Sequence, residues 1–63
     1  MSLHSKIPEP GDARATAQYI EAMAKDLKAL AATSGLGFLS YLLAMVQAEA
    51  ATTVTRAQDS KDA

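Results

Sequence analysis

The sequence predicts an all-α fold, an antiparallel helical hairpin, and three observations predict it. The tetrapeptide Ser34-Gly35-Leu36-Gly37 lies near the midpoint and separates two helix-sized apolar halves. Alanine is used 14 times and the aromatics are only Tyr19, Phe38 and Tyr41, a composition that favours helices in close contact over a β core. Between Ala13 and Thr33 no residue breaks a helix, and the apolar positions follow a helical period.

The first segment, residues 1–11, carries Pro8, Pro10 and Gly11 without an apolar period, and reads as a flexible N-terminal arm. Asp12 is the expected N-cap, since its carboxylate can accept a first-turn N–H and suits the positive end of the helix dipole. In the first helix, about residues 12–34, Ala13, Ala17, Tyr19, Ile20, Met23, Ala24, Leu27, Leu30 and Ala31 share an arc of roughly 160°. Arg14, Gln18, Glu21, Lys25 and Lys28 occupy the other side, so the helix is expected to bury one face. Ala17, Ala24 and Ala31 recur every seven residues on the flank of that arc. Such a row admits a close backbone approach; the alternative is that abundant alanines align by chance.

Gly35 can take the left-handed conformation that ends a helix, with Leu36 as the following residue of a Schellman motif. Gly37 is then expected to cap the second helix, and so short a connection makes the two helices antiparallel. The second helix is expected to start at Phe38 and last to about Ala51, extending towards Ala57 against the β-branched run Thr52-Thr53-Val54-Thr55. Its apolar residues Phe38, Leu39, Tyr41, Leu42, Leu43, Met45 and Val46 span roughly 220°, more than one neighbouring helix covers. The domain is thus residues 12–57, and residues 58–63 read as a frayed polar tail.

A hairpin of 63 residues has a thin core, and chains of this size usually depend on disulfides, a metal or oligomerisation. Cysteine is absent, and the single His4 cannot make a metal site alone. Oligomerisation remains: the expected assembly is a homodimer, two hairpins in a coiled-coil-like four-helix bundle with the second helices nearest the two-fold axis. Phe38, Leu39, Leu42, Leu43, Met45 and Val46 are the expected interface, and Gly35, Leu36 and Gly37 the turn.

Six basic against seven acidic residues give a formal charge of −1 and a pI near 5.6, which disfavours a general nucleic-acid binder. Arg14, Lys25 and Lys28 form a basic line, but Glu21 interrupts it and no aromatic is interleaved, so RNA binding by paired first helices ranks below a solvated face. Glu49 falls inside the apolar arc of the second helix, near Tyr19 and Met23. It either forms a buried polar contact with a donor such as the Tyr19 hydroxyl or reaches water at the open end. Tyr19 and Tyr41 both lie on apolar faces and are expected in the core.

Ser34 and Ser40 lack a histidine partner, so no catalytic residue, cofactor or metal ligand is expected and the chain reads as non-enzymatic. The uncharged stretch 29–48 has membrane-spanning length, yet it contains the Gly-rich break and continues the first helix's arc. A membrane-associated peptide inserting there is therefore the runner-up to a soluble interaction module with an as yet unidentified protein partner. No charged segment followed by an apolar one is visible at the N-terminus, and a cytoplasmic location is the default expectation.

Tyr19-Ile20-Glu21-Ala22-Met23, then Leu27, Leu30, Ala31, Gly35-Leu36, Tyr41-Leu42-Leu43-Ala44-Met45 and Glu49-Ala50 form a pattern. It resembles short α-proteobacterial helical-hairpin proteins that have no assigned activity. The resemblance covers residues 19–50 and implies a small soluble bacterial helical protein, without functional residues to carry over. It departs at Gly37, where a capping Asp is expected.

Overall fold

The computed structural model describes residues 11–62, with side-chain surroundings through residue 57. Two helices, α1 (Ala13–Thr33) and α2 (Gly37–Asp62), pack against each other as a hairpin, with no strand among the described residues. The expected arm, apart from Gly11, lies outside the described residues, as does Ala63. Gly11 stands in a turn at a φ of +97°, just before the helix.

α1 starts where its chemistry directs. The Asp12 carboxylate accepts the Ala15 N–H at 3.0 Å, and its carbonyl accepts the Thr16 N–H at 2.9 Å. At the other end Gly35 takes a φ of +77°. The Leu36 N–H bonds the Ala31 carbonyl at 2.8 Å and the Gly35 N–H bonds that of Ala32 at 3.3 Å, the paired bonds of a Schellman motif. The turn therefore forms as expected, with one correction of register. Leu36, not Gly37, occupies the N-cap position of α2, because the Leu36 carbonyl accepts the first helical bond, from Ser40, at 2.9 Å. Gly37 is already the first helical residue.

α2 is also longer than expected, running through the β-branched run to Asp62 where a tail from residue 58 was anticipated. Within that run the Thr52 hydroxyl donates to the Ala48 carbonyl at 3.1 Å and the Thr53 hydroxyl to that of Glu49 at 3.0 Å. Both threonines so satisfy their polar groups on the helix itself rather than competing with it.

The packing is where sequence and structure differ most. The buried apolar residues are Ala17, Ala24, Ala31 and Ala50, each 3–7% exposed. The seven-residue alanine row of α1 is thus the seam against α2. The bulky part of the predicted buried arc is not: Ile20, Leu27 and Leu30 are exposed, and Tyr19 and Met23 half-buried. Alanine wins the contact because two backbones can approach over methyl groups alone, and larger side chains at the same positions would hold them apart. Across the seam the Ser40 hydroxyl donates to the Lys28 carbonyl at 3.2 Å. On α2, Leu43 is half-buried and stands seven residues before Ala50, on the same side of the helix. The Cα envelope measures 43 × 28 × 11 Å, a sheet of matter one helix thick.

Two glycine substitutions separate backbone from packing, since a Cβ at Gly35 or Gly37 meets nothing within 4 Å. Gly35→Ala should destabilise by about 1–2 kcal/mol through its left-handed backbone, whereas Gly37→Ala should stabilise by about 0.5–1 kcal/mol. Thermal denaturation at one fixed protein concentration measures both. On the same assay Ala24→Leu should cost about 1–3 kcal/mol by wedging the seam open; an unchanged midpoint would show that the helices do not meet there.

Candidate interaction face

The seam divides the surface of each helix into two flanks. At about 100° per residue, Ile20, Leu27, Thr16, Met23 and Leu30 lie roughly 40–120° to one side of the α1 alanine row. Lys28, Glu21, Arg14 and Lys25 lie at corresponding angles on the other side. On α2, measured from Leu43 and Ala50, the flank of the same sense holds Leu39, Val46, Thr53, Leu42 and Glu49, and the opposite flank Gln47, Ser40, Ala51 and Ala44. Antiparallel helices bring flanks of the same sense to the same face of the layer.

Two contacts confirm this. Ser40 bonds Lys28 on the polar face, and a groove of about 680 Å³ joins Thr16 and Ile20 to Val46, Glu49 and Thr53 on the apolar face. The hairpin is therefore two-sided, one face apolar and the other charged and small. Ten large apolar side chains are exposed, between 39% and 73%: Ile20, Leu27, Leu30, Leu36, Phe38, Leu39, Tyr41, Leu42, Met45 and Val46.

Of the six residues expected at an interface, Phe38, Leu39, Leu42, Met45 and Val46 are exposed, while Leu43 serves the seam. Sequence reasoning assigned Ile20, Leu27 and Leu30 to the hairpin's own core, and they are exposed instead. Tyr41 is a further correction. It is 61% exposed and stacks on Phe38, with ring centroids 6.3 Å apart and an interplanar angle of 23°, at the turn end.

Glu49 is exposed at the open end, where it lines the groove; Tyr19 is half-buried, and no hydrogen bond joins the two among the described residues. Of the two readings of Glu49, the water-facing one describes this single chain. The groove is otherwise lined by Gly11, Met45 and Ala, Thr, Ile and Val side chains. Among the described residues no cluster of metal-ligating side chains is present. The uncharged stretch 29–48 is broken by the turn at residues 34–36, and no described helix is long and apolar enough to cross a membrane.

Comparison of the chain with protein-family models, with curated proteins and with solved structures finds no match.

Proposed function

We propose that the protein is a small non-enzymatic interaction module, an adaptor or regulator that works through its apolar helical face and associates with itself into a four-helix bundle. The observation that carries this reading is that Ile20, Leu27, Leu30, Leu39, Leu42 and Val46 share one exposed face of a hairpin whose buried apolar residues are alanines. A folded monomer rarely leaves so large a contiguous apolar patch in water. Burying four alanines contributes little of the apolar burial that must offset the ordering of two long helices. A second apolar layer supplies what the hairpin lacks, and helix-on-helix layers are the ordinary way for such a face to be covered.

The resemblance to short bacterial helical hairpins fits this reading. The charged face, where Glu21 stands among Arg14, Lys25 and Lys28, is left solvated and available to a further protein partner.

Sedimentation of the purified chain tests the reading. At micromolar concentration it should run as a dimer, and Leu42→Glu or Val46→Glu should weaken association at least 100-fold by placing a charge on the buried face. A folded monomer would sink the self-association claim, and binding to lipid vesicles without dimer formation would favour a membrane-surface role instead.

A further inference from the structure

We draw no further inference here: the strongest candidate, the apolar groove at the open end of the hairpin, where Ile20, Met45 and Val46 stand beside the Glu49 carboxylate, belongs to the face already described, and nothing in the structure shows what covers it.

Discussion

The close approach of two backbones over a row of alanines is the constraint on which the rest of this structure depends. Ala17, Ala24 and Ala31 of α1, with Ala50 of α2, are the residues removed from water. Their methyl groups keep the helices near enough for the Ser40 hydroxyl to reach a main-chain carbonyl on the opposite helix. The same choice determines what cannot happen. A seam made mostly of methyl groups, with Leu43 half-buried beside them, leaves the exposed large apolar side chains on the flanks and outer edge. The hairpin thereby stays 11 Å thick in its Cα atoms, and among the described residues no large side chain is fully buried. Most of its apolar material is left available for contacts outside the hairpin.

The helix ends are closed by local chemistry that does not depend on the seam. Asp12 satisfies two first-turn N–H groups of α1, one through its carboxylate and one through its carbonyl. The Schellman bonds at Gly35 satisfy the last carbonyls and reverse the chain within three residues, leaving no slack for any but an antiparallel return. α2 has no side-chain cap, since Leu36 holds the N-cap position, and its threonines bond their own preceding turns instead. The elements are thus delimited locally, and the seam decides only how they face each other.

That facing creates the chemistry of the surface. Rotating α1 to bury its alanines turns Arg14, Glu21, Lys25 and Lys28 to one face of the layer and Ile20, Met23, Leu27 and Leu30 to the other. α2 matches it, with Ser40, Ala44, Gln47 and Ala51 on the charged side. The apolar side carries Glu49 as its acidic residue, at the open end where water reaches it. A flat body with one apolar face suits binding to another helical layer.

Much of this was legible in the residues. The break, its left-handed Gly35, the Asp12 cap, the helical class and the excess of apolar surface on α2 all follow from short-range rules, because caps and turns are settled within a few residues. The seven-residue alanine spacing was also visible, though abundance alone could have produced it. The rotation of α1 about its axis was not legible. A helical wheel shows an apolar arc of roughly 160°, but any part of it can meet a neighbour. Local propensity likewise underrated α2, whose threonines bond their own helix. The sequence by itself determined two helices, their order, their turn and their antiparallel sense. Only the tertiary structure decided that alanine packs inside and leucine outside, because that choice is set by how closely two particular backbones can approach, a property neither helix has alone.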